Sequence, residues 1–186
     1  VLFVLILLHS DPVSGVIRRY ALRNSAGGGV SSLCRRRTAD SGTNAGVETV
    51  PDLVFFYGTL RTGFDRRRRA GIEERLSYVG KGSMQAALYD LGIYPAAVPA
   101  PDGRVWGEVH EIHGGEVDAT AVFQALDTIE GHRPTDPDHS LYTRSQTDVT
   151  FEDGRTVRAW AYFYNAPLGQ APRIPSGDYL DYVRVR

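Results

Sequence analysis

The stretch that most constrains this chain is Leu53-Val-Phe-Phe-Tyr-Gly-Thr-Leu-Arg61. Four apolar or aromatic residues in succession, with β-branched Val54 among them, predict a short buried strand that stops at Tyr57-Gly58. Gly58 is expected to let the backbone turn sharply there. The amides of Thr59 and Leu60 then leave the strand end without ladder partners, an arrangement suited to a carboxylate or an oxyanion.

The preceding residues have a different character. Val1–Leu8 is an apolar run too short to span a bilayer, and it lacks the positive residues that precede a secretory core. Gly27-Gly-Gly, Arg35-Arg-Arg and a Ser/Thr/Asn/Gly-rich stretch follow without sustained periodicity. Residues 1–50 are therefore expected to be a disordered or loosely attached extension, and residues 51–186 the folded domain. The missing initiator Met suggests a start site placed too far upstream or an alternative start codon. Net charge is −1 and Cys34 is the only cysteine, so neither a disulfide nor a multi-thiolate zinc site is available within the chain. A cytoplasmic protein without a membrane partner is the expectation.

Downstream, Asp65 is a plausible N-cap for a helix running through Arg66–Arg69 toward Leu76. A run of four arginines points to every side of a helix, and Glu73 and Glu74 follow one turn later. A solvated face, not a phosphate or nucleic-acid site, is expected. No nucleic acid is expected, because the arginine runs are not interleaved with aromatics. Tyr78-Val79 and Met84–Leu91 read as strand segments interrupted by Gly80 and Gly82, and Gly92–Pro95 as a turn. Val105–Ile112 alternates as a strand, with Trp106, Glu108, His110 and Ile112 on one face. His110 and His113 straddle both faces of that strand and no third ligand is placed by spacing, so no metal is expected.

From Glu116 to Glu130, Val122, Phe123, Leu126 and Ile129 recur at helical spacing. The helix ends at Gly131, which sets Glu130 at the negative end of its dipole, where the carboxyl pKa should rise toward the range useful for proton transfer. Tyr142–Phe151 and Val157–Tyr164 read as a hairpin closed by Glu152–Arg155, and Ile174–Arg186 as a turn with a short helical or extended end.

The motifs YGTLR (57–61), LYDLGIYPA (88–96), VWGEVHEI (105–112), LDTIEG (126–131) and LYTR (141–144) together resemble the γ-glutamylcyclotransferase-like superfamily, as do AWAYFYN (159–165) and IPSGDY (174–179). The branch they resemble most is the small bacterial and γ-glutamylamine cyclotransferase type, over residues 52 to 182. That resemblance implies an α+β fold, a small mixed β-barrel with flanking helices. It implies a catalytic glutamate at Glu130, a substrate-binding loop of Tyr57, Gly58, Thr59 and Leu60, a pocket tyrosine at Tyr142, and only weak roles for Arg144 and Trp160. The implied substrate is a small γ-glutamyl amide, cyclised to 5-oxoproline with release of an amine and without metal or other cofactor. The alternative is a catalytically silent module binding a γ-glutamyl or other carboxylate ligand. The proline-containing loop His132–Leu141 is expected beside the pocket, where it could select the leaving amine. Which conjugate is the substrate, and which oligomer forms, are both left open by the sequence.

Overall fold

The computed structural model describes residues 52–185, and the N-terminal extension expected over residues 1–50 lies outside them. The first strand, β1 (Leu53–Phe56), ends where the sequence places it. A four-residue helix α1 (Arg66–Arg69) and one 3-10 turn (Glu73–Arg75) lead into β2 (Leu76–Met84). There follow β3 (Ala87–Asp90), β4 (Pro95–Val98), β5 (Val105–Ile112) and helix α2 (Gly115–Glu130). The described chain ends with β6 (Tyr142–Phe151), β7 (Thr156–Tyr164) and α3 (Tyr179–Arg184).

Five strands close into a barrel in the order β1-β5-β2-β6-β7, and β3-β4 forms a separate hairpin. All neighbours within the barrel are antiparallel except β1 and β7, whose parallel pairing of Val54 with Trp160 closes it. The protein is thus an α+β fold built on a small mixed barrel with flanking helices.

Alternation along the strands sends side chains into two cores. Phe55, Met84, Val105, Val109, Val149 and Ala161 come from all five barrel strands and pack together as one. Val54 and Phe56, the other face of β1, join Ala119, Val122 and Leu126 of α2 in the second. Helix α2 therefore covers the outer face of β1, and its C-terminal end is carried to the end of that strand.

Two expectations need correction. The helix from Asp65 toward Leu76 breaks at Ala70–Gly71, where Gly71 adopts φ 67°. Asp65 occupies its N-cap position without a capping bond, and its carboxylate pairs with Arg69 at 2.6 Å. Gly80 and Gly82 do not interrupt β2, which runs through both with a bulge between Tyr78 and Gly80. They are narrow places in a continuous strand: a Cβ on Gly80 would lie 3.0 Å from the Phe151 ring, and one on Gly82 2.8 Å from Val149 Cγ1. The real break falls at Gln85-Ala86, between β2 and β3.

The tightest packing in the wall is at Gly107 of β5, where a Cβ would collide with the Phe56 carbonyl oxygen and lie 2.6 Å from the Phe55 ring. Both atoms belong to β1 or the barrel core and cannot withdraw. Gly107→Ala is expected to lower stability by about 1–3 kcal/mol, the cost of overpacking a close-packed interior, measured as a fall in urea midpoint at unchanged slope.

Candidate functional site

Strand β1 delivers Tyr57 to a junction of three strands. Its hydroxyl donates to the Tyr162 carbonyl of β7 at 2.7 Å and accepts from the Ala97 amide of β4 at 3.4 Å. Next comes a turn in which the Arg61 amide donates to the Gly58 carbonyl at 3.1 Å. Gly58 has no positive φ, so conformational freedom is not why it is needed. The reason is space, since a Cβ there would stand 2.8 Å from Cγ of Pro95.

The far side of the turn is fastened by charge. Arg61, only 4% exposed, donates from Nη1 to Asp178 Oδ1 at 2.6 Å, and its Nε lies 3.6 Å from Glu108 Oε1. Glu108 Oε2 accepts from both the amide and the hydroxyl of Thr62, at 2.9 and 2.8 Å. Burial pushes the Glu108 carboxyl up, but hydrogen bonds from His110 and Thr62 and the Arg61 charge together outweigh it and hold the pKa at about 2.

Tyr57, Gly58, Thr59, Leu60, Glu130 and Tyr142 all line one cavity of about 70 Å³. A single water needs roughly 10–15 Å³ by such a measure, so a small organic group fits. The amides of Gly58, Thr59 and Leu60 have no acceptor among the described residues. Tyr142 donates to the Pro95 carbonyl at 2.9 Å. Tyr162, another lining residue, donates to Asp127 Oδ1 at 2.6 Å. Burial drives the pKa values of all three tyrosines, 57, 142 and 162, far up, so they stay neutral donors.

Glu130 is the last residue of α2, before Gly131 at φ 62°, ψ 32°. Its carboxyl pKa is raised to about 7, in the direction the sequence reading anticipates. Burial in the cavity wall is the leading cause of the rise, and the nearby Arg66 charge keeps it from rising further. Among the described residues none donates a hydrogen bond to this carboxyl.

The arginine run is not a uniformly solvated face. Arg69 and Arg68 are exposed, but Arg67 is 5% exposed, with its Nη1 2.8 Å from His110 Nε2. Arg66 lines the cavity and donates to Thr59 Oγ1 at 2.7 Å. His110 is thereby committed to Arg67 and to Glu108 at 3.2 Å, while His113 meets Ser77 at the surface. Among the described residues no group of three or more His, Cys, Asp or Glu could hold a metal ion. Arg144 and Trp160 do not line the cavity. Arg144 stacks between Phe123 and Trp160, 4.3 and 5.3 Å from the ring centroids, and lies 3.5 Å from Asp127. From the loop 132–141, only Leu141 reaches the wall.

A family model described as gamma-glutamyl cyclotransferase, AIG2-like, matches residues 54–181. The chain belongs to this family. Gamma-glutamylcyclotransferase family protein YtfP of Escherichia coli strain K12 is 31% identical over 129 residues, 69% of this chain and 96% of that protein. Among solved structures, an AIG2-like protein from Mus musculus superposes with TM-score 0.52 at 21% identity, over 69% of this chain and 88% of the mouse chain. YkqA from Bacillus subtilis superposes with TM-score 0.53 at 21% identity over 73% of this chain. This chain spans only 42% of YkqA, and both structures speak to the fold alone. No helix among the described residues is long and apolar enough to cross a membrane.

Three polar side chains of the cavity escape the motifs' assigned roles: Arg66, Tyr94 and Tyr162. Tyr94 and Tyr162 sit inside motifs quoted above. Nothing local marks Arg66 apart from Arg67–Arg69.

The raised Glu130 pKa has a thermodynamic consequence. The unfolded carboxyl titrates near 4.5 and the folded one near 7, so the folded state binds more protons between these values and stability falls as pH rises through that window. Glu130→Gln, which imitates the protonated acid, is expected to melt above the parent protein at pH 8. The difference should vanish below about pH 4.5, as read by thermal denaturation across pH.

Proposed function

We propose that the chain is a cyclotransferase acting on a small γ-glutamyl amide, releasing 5-oxoproline and a free amine. The observation that carries this reading is a carboxyl with a pKa raised to about 7 in the same cavity as the turn residues Gly58, Thr59 and Leu60, whose amides have no acceptor among the described residues, in a chain of this family.

A γ-glutamyl amide contains its own nucleophile. The α-amine attacks the γ-carbonyl carbon, a C–N bond forms, and collapse of the tetrahedral intermediate breaks the original amide C–N bond. The α-ammonium must first lose a proton, and the departing nitrogen must gain one. Glu130 as carboxylate accepts the first and as acid delivers the second, and the remaining proton exchanges with solvent. A group with pKa about 7 suits both halves, because neither form is scarce near neutral pH.

Because the attack is intramolecular, holding the chain folded toward the five-membered ring is worth up to roughly 7–11 kcal/mol of barrier. The loop amides at 58–60 supply that hold on the γ-glutamyl carboxylate. The turn anchored by Arg61 and Glu108 keeps them in place without rearrangement. Neither metal nor other cofactor enters the scheme, which fits an enzyme of the cytoplasm acting on a soluble metabolite.

Glu130→Gln is expected to lower kcat by about 10²–10⁴ while leaving the fold intact. The check is 5-oxoproline release, followed by mass spectrometry, from γ-glutamyl amino acids and γ-glutamyl amines. An unimpaired variant would remove Glu130 from the chemistry. Ligand-induced stabilisation of the parent protein without 5-oxoproline from any substrate would favour a binding module.

A further inference from the structure

Two adjoining hollows of about 490 and 330 Å³ share the residues Gly103, Arg104 and Trp106, and no residue of either lines the Glu130 cavity. They lie on the outer face of β5, since its alternate residue Val105 belongs to the barrel core. The backbone beneath them is fixed. A Cβ on Gly103 would strike the Ala86 carbonyl, the Trp106 amide donates to the Gly177 carbonyl at 2.9 Å, and Gln85 Nε2 donates to the Pro101 carbonyl at 2.8 Å. A recess held in this way needs little ordering when it is filled.

The groups left unfilled there are donors. Ser83 of β2 stands directly opposite both Trp106 of β5 and Thr150 of β6, so the three side chains share one face. Ser83 is only 8% exposed, yet neither its hydroxyl nor the Trp106 indole N–H has a hydrogen-bond partner among the described residues. A hydroxyl withdrawn from bulk water without a partner is costly, and a ligand that reaches it recovers that cost. Two cations flank the indole: Lys81 Nζ lies 5.2 Å and Arg104 Cζ 5.7 Å from its ring centroid. Arg104 makes no ion pair among the described residues, and the carboxylates nearest Lys81, Asp178 and Glu152, stand off at 3.8 and 3.9 Å. The other acids have closer partners, Asp102 in Arg173 at 3.2 Å and Asp148 in Arg158 at 3.1 Å.

Two cations beside O–H and N–H donors suit a doubly charged oxyanion, and a phosphate monoester carries close to two negative charges at neutral pH. The larger hollow has room beyond a phosphoryl group, and it is walled there by Gln85, Asp148, Thr150 and Glu152, which can exchange hydrogen bonds with hydroxyl groups. We infer that this recess is a second binding site, for the phosphate monoester of a small polyol. Arg104, Lys81, Ser83 and the Trp106 N–H receive the phosphoryl oxygens. The inference does not rest on the cyclotransferase reading.

The test is calorimetric titration of the full chain with glycerol 3-phosphate, ribose 5-phosphate and glucose 6-phosphate, against inorganic phosphate and the unphosphorylated polyols. At least one ester is expected to bind about tenfold or more tighter than inorganic phosphate and than its own polyol, the scale of one hydrogen bond to a charged group. Arg104→Gln, a change at an exposed position, should weaken that ester about tenfold, and Ser83→Ala about threefold. Fluorescence locates the event: the chain has two tryptophans, so Trp160→Phe leaves Trp106 alone, and its emission should change over the concentration range that gives the heat. Four results each overturn the inference: an ester no tighter than inorganic phosphate, affinity unchanged in Arg104→Gln, heat without a change in Trp106 emission, or no saturable binding of any ester below about 10 mM. None of the four bears on 5-oxoproline release, which is read separately.

Discussion

The buried Arg61 guanidinium is the point from which the site is built. It joins Asp178, at the N-cap of α3, to Glu108 in the middle of β5, and its own backbone amide closes the turn that begins at Gly58. Removing three charged groups from water is expensive, and their mutual attraction need not exceed that cost. What the cluster provides is a single path for the chain between Tyr57 and Thr62. Asp178 Oδ1 also accepts the Leu180 amide at 3.0 Å, so the C-terminal helix and the loop share one anchor. An unanchored turn would have to be ordered by each arriving substrate, and the entropy of ordering would be subtracted from binding.

Around this anchor the polar groups divide by charge state. Tyr57 and Tyr142 direct their hydroxyls to backbone carbonyls of β7 and to Pro95, and Tyr162 directs its hydroxyl to Asp127. Their raised pKa values mean that none contributes a charge in the physiological range. They shape the cavity and tie the β3-β4 hairpin to the barrel. Proton exchange within the wall is consequently concentrated on Glu130, and positive charge on Arg66.

The parts of the fold legible in the sequence were those whose pattern is local. β1, β5 and the β6-β7 hairpin follow from alternation and punctuation, and α2 from the spacing of Val122 and Leu126 before Gly131. The region 65–76 was misread because the pattern there is carried by partners far along the chain. Which of four successive arginines turns inward is decided by His110 of β5 and by Thr59 and Thr62 of the preceding turn. The same distance hid Glu108 itself, which alternation could place on a face but not pair with Arg61. Gly80 and Gly82 misled for the opposite reason: glycine punctuates when its backbone turns, but here it admits β6 side chains. The six site residues named from motif resemblance do line one cavity, yet nothing local in the sequence showed how deeply Glu130 is buried there, which is the leading cause of its raised pKa.

An acid can stay near a pKa of 7 only if it cannot swing into water, and two features hold Glu130 in place. Gly131, in the left-handed conformation, ends α2 immediately after it, and its amide bonds back to the Asp127 carbonyl. A Cβ on Gly131 would also come within 3.3 Å of Leu141, the loop residue that reaches the cavity wall. Asp127, one turn earlier on the same helix, is bound by Tyr162 of β7 and approached by Arg144 of β6. The last turn of α2 is thereby fastened to two barrel strands. Helix fraying, the ordinary escape of a terminal residue, would have to break the Asp127 contacts before it freed Glu130. Asp127, outside the cavity, thus acts through the backbone on the group inside it, which is a physical reason for the two acids to stand three residues apart in one short motif.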